Sequence, residues 1–213
     1  LLIMGLSYFG STVAHYFKNA ESPLHKVGII VAALGLLVVT FRGLQIVALT
    51  MTYGSMLAYY CTDDGTLEDV KGELEGATPD ELDACIGRTA QWDRHDFLET
   101  LFAAGANLED KSAPDEFRGC VLSQRSVSVD YVKKAVELGV KPETCGKEDV
   151  VIMQLVRYGN SSDDDEISQK VELLLGAGFS PSAKQEPDDK LPIEYARENE
   201  MPKTVALLEA AGA

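Results

Sequence analysis

Val27–Cys61 reads VGIIVAALGLLVVTFRGLQIVALTMTYGSMLAYYC, and its single charge is Arg42. A second apolar run, Leu1–Phe17, precedes it. Between them lies Lys18-Asn-Ala-Glu-Ser-Pro23, where Pro23 suits the start of a helix. About 20 apolar residues cross a hydrocarbon core about 30 Å thick. Two membrane spans are therefore expected, at 1–17 and 27–61. As one helix the longer run would reach about 52 Å at 1.5 Å per residue, a tilted or projecting span. Three spans are the alternative, with Val27–Phe41 and Leu44–Cys61 turning at Arg42-Gly43. A mid-membrane arginine costs about 2.5–3.5 kcal/mol on insertion scales. Snorkelling or a protein partner reduces that cost, which makes Arg42 a candidate partner-binding residue. Gly28, Gly35, Gly43 and Gly54, with nearby alanines, would let a second helix approach closely. The Lys18/His25/Lys26 loop is the basic one and is expected on the cytoplasm-like side. Two spans then put the rest of the chain on the opposite side, and three put it on the same side. His15 in the first span is the one candidate ligand for haem or a chlorophyll. A lone helix-borne histidine is more often a hydrogen-bonded or interfacial residue, and no cofactor is expected.

The character of the chain changes at Thr62-Asp63-Asp64-Gly65. Residues 1–61 carry Lys18, Lys26 and Arg42 against Glu21, a net of +2. The remaining 16 basic and 33 acidic residues give 62–213 a net charge of −17, and the two parts make up the −15 of the chain. Such a domain does not attract nucleic acid or an anionic surface by charge, but it suits a basic soluble protein. The chain begins at Leu1, so a segment upstream is expected. Cys61, Cys85, Cys120 and Cys145 form no CxxC pair and no zinc-like spacing. Cys85 and Cys120 read as small core residues, and free thiols are expected.

Residues 62–77 read as a linker holding one short amphipathic helix, with Leu67, Val70 and Leu74 at helical spacing. Thr78-Pro79-Asp80-Glu81 then supplies a cap, a first-turn proline and early acids for a helix over about 80–90. Arg94–Ala104 is its partner, stopped at Gly105. The pattern recurs. Pro114–Phe117 opens a second pair, which Val129–Leu138 completes before Gly139. Glu148–Val156 opens a third, which Ile167–Leu175 completes before Gly178. Leu191–Ala196 opens a fourth, which Thr204–Ala210 completes before Gly212. These glycines lie 34, 39 and 34 residues apart. Two short helices and a glycine stop at a period near 34 mark a stacked repeat, in which neighbours bury what one pair cannot. The long interval comes from Asn160–Glu166 (NSSDDDE), read as an exposed loop. Its three aspartates lack the spaced oxygens of an EF-hand.

Residues 78–213 resemble the ankyrin-repeat family. Leu191-Pro192-Ile193-Glu194 followed by Ala196 matches the family's Thr-Pro-Leu-His-like opening in its Pro, aliphatic and Ala positions. Leu207-Leu208-Glu-Ala-Ala-Gly212-Ala213 matches the ending, as do Leu174-Leu175-Gly-Ala-Gly178 and Leu101-Phe102-Ala-Ala-Gly105. The opening histidine is absent from every repeat. Together with the apolar runs, the resemblance implies an all-α protein: transmembrane helices, then an acidic solenoid of about four helix pairs that binds protein. Candidate partner-binding residues are Arg42, Glu109, Asp110, Lys111, Asp163, Asp164 and Asp165.

The sequence holds no phosphate loop, GxSxG, HExxH or paired Cys/His set. Trp92-Asp-Arg-His-Asp96 is the one polar cluster, read as a surface turn. No enzyme is expected. The expected role is a non-catalytic accessory subunit of a larger membrane complex, respiratory or photosynthetic, in an organelle inner membrane (mitochondrion or plastid) ahead of a bacterial one. Its partners would be the lipid bilayer and other membrane subunits. The rival reading is a free-standing bacterial receptor or immunity-type protein that captures a protein ligand.

Overall fold

The computed structural model describes residues 11–18, 22–108, 120–145, 150–184 and 189–213. These residues are helices and turns, apart from a single isolated bridge position at Cys120. They divide into two compact units, Leu1–Thr52 and Tyr53–Ala213.

In the first unit residues 11–18 are helical, and 1–10 lie outside the described residues. Helix α1 (Pro23–Tyr53) is continuous through Arg42-Gly43, so 27–53 forms one helix and not two short spans. Its stretch Lys26–Tyr53 is long and apolar enough to cross a membrane. Apolar side chains occupy every face, so no one-sided stripe directs it onto a protein core. Thr40 and Thr52 satisfy their hydroxyls on the carbonyls of Leu36 and Ala48, at 2.8 and 2.9 Å. The helix stops at Gly54, whose φ of 87° suits glycine. The apolar run thus ends as a helix eight residues before Cys61.

The second unit is built of two rows of short elements. Ser55 caps α2 (Met56–Tyr60) by accepting from the Ala58 N–H at 3.1 Å. The inner row continues with α4 (Pro79–Gln91), a 3₁₀ turn (Val121–Ser123), α7 (Val151–Arg157) and α9 (Pro192–Glu198). The outer row is α3 (Leu67–Glu73), a 3₁₀ turn (His95–Phe97) leading into α5 (Leu98–Ala103), α6 (Val129–Glu137), α8 (Asp164–Gly176) and α10 (Pro202–Ala210). Each element packs on the next in its row, and most pairs also pack across the rows. With α2 and α3 included, a further pair stands ahead of the four expected.

Local sequence explains the ends. Thr66/Asp69 and Thr78/Glu81 form reciprocal capping boxes at the starts of α3 and α4. Gly105, Gly139, Gly178 and Gly212 all have φ between 85° and 93°. Each donates its N–H three residues back, and the next residue donates five residues back, as Val140 does to Ala135 O at 3.2 Å. That is the Schellman motif, and it recurs at all four stops. The five-back carbonyls belong to Leu101, Ala135, Leu174 and Leu208, all buried. The stop therefore fixes the turn and its core contact together.

The insertion at 160–166 is not an exposed loop. Ser161–Asp163 is a 3₁₀ turn that runs directly into α8, which starts at Asp164 and not at Ile167. The opening of the second pair at 114–117 lies outside the described residues. Only the 3₁₀ turn Val121–Ser123 represents its inner element among the described residues.

Candidate interaction surfaces

The four cysteines are not free thiols. Cys61 bridges Cys85 and Cys120 bridges Cys145, with Cα–Cα distances of 5.3 and 4.6 Å, within the range disulfides span. All four lie in the core. The burial expected for Cys85 and Cys120 holds, but each abuts a second cysteine from the neighbouring repeat. Cys61 follows α2 and Cys85 lies on α4, so one bridge staples the first two inner elements. Cys120 precedes the Val121–Ser123 turn and Cys145 precedes α7, so the other staples the next two. The sequence signal is the repeated interval, 24 and 25 residues, between partners in adjacent repeats.

The polar cluster at 92–96 is a structural latch. Asp93 takes a left-handed φ of 53° after α4. This turns Arg94 back onto the loop between α2 and α3, where its Nη1 donates to Thr62 O at 2.7 Å and Gly65 O at 2.9 Å. Its Nε and Nη2 meet Asp96 at 3.2 Å, and the guanidinium lies 3.8 Å from the Phe97 ring centroid. The Asp93 carboxylate accepts from the Ser128 hydroxyl, which also caps α6 by accepting from the Tyr131 N–H at 3.0 Å. Tyr131 is buried, and its phenol hydrogen-bonds the Thr89 hydroxyl at 2.9 Å. Burial pushes that phenol well above its ordinary value; the Thr89 bond opposes the shift and the Asp93 charge adds to it.

Asp163, Asp164 and Asp165 all have partners within the chain. Asp163 forms an ion pair with Arg125. Buried Asp164 accepts from the Lys203 N–H at 2.9 Å, the Thr204 N–H at 3.0 Å and the Thr204 hydroxyl at 2.8 Å, capping α10 across the stack. Burial pulls its pKa up, but those hydrogen bonds outweigh burial and hold it below the ordinary range. Asp165 pairs with Lys203, whose pKa that contact raises. Lys170 is almost wholly buried between Glu166 and the Arg125 carbonyl. Glu109, Asp110 and Lys111 lie outside the described residues. His15 packs edge-on against the Tyr16 ring at 6.1 Å.

Arg42 sits on α1 beside Leu37, Val38, Phe41 and Gln45. Arg42 and Gln45 are three residues apart and so share one face of an apolar helix. In the second unit a cleft of about 500 Å³ opens between α4 and the loop after Val121–Ser123. Tyr53, Arg88, Gln91, Gln124 and Ser126 line it, with Ala84 and Gly87. The lining holds a guanidinium, two amides and two hydroxyls, and no carboxylate, although the domain is strongly acidic. Another cleft of about 470 Å³ is mainly apolar and lies between the ends of α5 and α6. Among the described residues no group of three or more His, Cys, Asp and Glu is placed to hold a metal ion.

The chain matches no family model, no curated protein and no solved structure.

Proposed function

We propose that this chain is a non-catalytic accessory subunit of a larger membrane complex, carrying an ankyrin-like protein-binding domain on the oxidising side of its membrane. The observation that carries this reading is the pair Arg42 and Gln45 on one face of α1. Polar side chains inside a span face partners or water, because lipid offers them nothing. A span that anchored the domain alone would have no use for them. The two-row stack and its four matching glycine stops support an ankyrin-like array, whose business is protein recognition. Fold-level likeness names no partner.

Sidedness follows from two independent features. Two buried disulfides belong to a domain that folds in an oxidising compartment. Lys18 precedes α1 and Lys26 lies in its first turn, and basic residues stay on the cytoplasm-like side. A single α1 crossing then delivers residues 54–213 to the opposite face, where disulfides form. A periplasm, an intermembrane space and a lumen all meet this condition. A basic protein there is the soluble partner that the −17 domain suits.

The test is the native mass of the protein extracted in mild detergent, with co-migrating chains identified. A defined assembly that loses this chain on Arg42→Leu, while the variant still inserts, supports the proposal. A lone species near its own 23.1 kDa plus detergent contradicts it and favours a free-standing receptor.

A further inference from the structure

We infer that the cleft around Arg88 is a binding site for phospholipid headgroup phosphate, so that this edge of the domain rests on the bilayer. The inference depends on α1 spanning the membrane. Lys26–Tyr53 is the apolar stretch of that helix. From Lys26 to Tyr53 is about 40 Å at 1.5 Å per residue. A bilayer including its headgroups is about 40–45 Å thick. With Lys26 among the headgroups of one leaflet, Tyr53 falls among those of the other, the depth at which tyrosine and tryptophan concentrate.

Tyr53 also belongs to the compact unit, and there it fixes the depth of its neighbours. The Arg88 guanidinium lies 5.6 Å from its ring centroid, and the Tyr59 ring 5.3 Å. Tyr53 and Arg88 line the same cleft, with Gln91, Gln124 and Ser126. These side chains supply donors suited to a phosphate, with the guanidinium able to bind it in a two-pronged fashion. No carboxylate lines the cleft to repel one. The acids of α4, Asp80, Glu81 and Asp83, lie beyond the Ala84 end of the cleft, about 8–12 Å along the helix from Arg88. The domain as a whole, at −17, is not drawn to an anionic surface, so contact is confined to this edge. A zwitterionic lipid is sufficient, because only the phosphate is addressed.

The sole tryptophan of the chain, Trp92, follows Gln91 directly and is 45% exposed. It therefore reports on this edge without a label. The full chain is reconstituted into phosphatidylcholine nanodiscs, and flotation establishes incorporation. Trp92 emission is then read against phosphatidylcholine spin-labelled on the headgroup. The expected result is strong quenching in the parent chain, at least halved in Arg88→Glu and in Tyr53→Ala, with unchanged far-UV dichroism. Incorporated protein with unquenched Trp92 overturns the inference. Quenching undiminished in Arg88→Glu overturns the phosphate contact. Failure to float refutes the spanning of α1 itself, and the inference falls with it; flotation distinguishes that failure from the other two.

Discussion

Helix α1 and the stacked unit use the same residues for opposite ends. On α1, Val31, Val38, Val39 and Phe41 are each more than 60% exposed. In the stack, Ile86, Leu98, Leu101 and Val132 are fully buried. Composition does not separate the two cases; the arrangement around each helix does. On α4 the buried residues Leu82, Cys85, Ile86 and Ala90 fall at helical spacing, while its other face carries Asp80, Arg88 and Gln91. One-sided helices can satisfy each other by stacking, at about 1.5–3 kcal/mol for each large side chain buried. A helix apolar on every side has no polar face to turn to water, and by length and composition α1 is apolar enough to cross a bilayer.

If the two regions are stabilised independently, damage to one should leave the other intact. The largest effect is expected from the disulfides. Each closes a loop of about 25 residues, worth about 3.5 kcal/mol by the chain-entropy estimate. Replacing both members of either pair by Ala should lower the urea-unfolding free energy of the domain by about that amount. Flotation of the chain with lipid should not change. Loss of flotation would show that the anchor depends on the domain. Arg94→Met comes next, because it leaves the Thr62 and Gly65 carbonyls without their charged donor. A cost of about 3 kcal/mol is expected in the same titration. A loss under about 0.5 kcal/mol would mean that the latch is not needed to hold α2 and α3 on the stack.

A smaller effect is expected from the cap that joins α8 to α10. Asp164→Ala should cost about 1–2 kcal/mol, with hydrogen exchange rising first in α10. The same carboxylate gives a pH dependence. Hydrogen bonds from the Thr66 hydroxyl and amide hold Asp69 low, and those from the Thr78 amide and hydroxyl hold Glu81 low, as the α10 cap holds Asp164. Folded values below the unfolded ones give stability that is complete above about pH 4–5 and is lost as pH falls through the folded values. Asp164→Asn should flatten part of that acid slope, which thermal melts between about pH 2 and 6 would register. A slope unchanged in the variant would remove Asp164 from the account.

Much of the stack was legible in the sequence, because caps and stops are local. Thr78-Pro79 starts a helix and Gly139 ends one wherever they are placed, and the spacing of the stops carries the repeat. The first pair was harder to see. Met56–Tyr60 is as apolar as α1 before it, and only Gly54 and Ser55 separate them. The disulfides depend on which turns meet across the inner row. Cysteine spacing inside one repeat says nothing of that, so Cys61 read as the end of a span. The contacts that the three aspartates make within the chain were hidden for a related reason. Their charges are visible in NSSDDDE, but the Lys203 and Thr204 amides that occupy Asp164 come from about forty residues away. Arg88 gave no signal, since its meaning lies in the Tyr53 ring beside it.

The central claim is that α1 holds a disulfide-stapled domain on the oxidising side of a membrane. Thiol trapping in native membranes tests it most directly: lysis in acid, denaturation, then maleimide-polyethylene glycol with and without prior reduction. The account predicts no mass shift before reduction and four additions after it. Four additions without reduction would place the domain in a reducing compartment and contradict both the staples and the sidedness drawn from them.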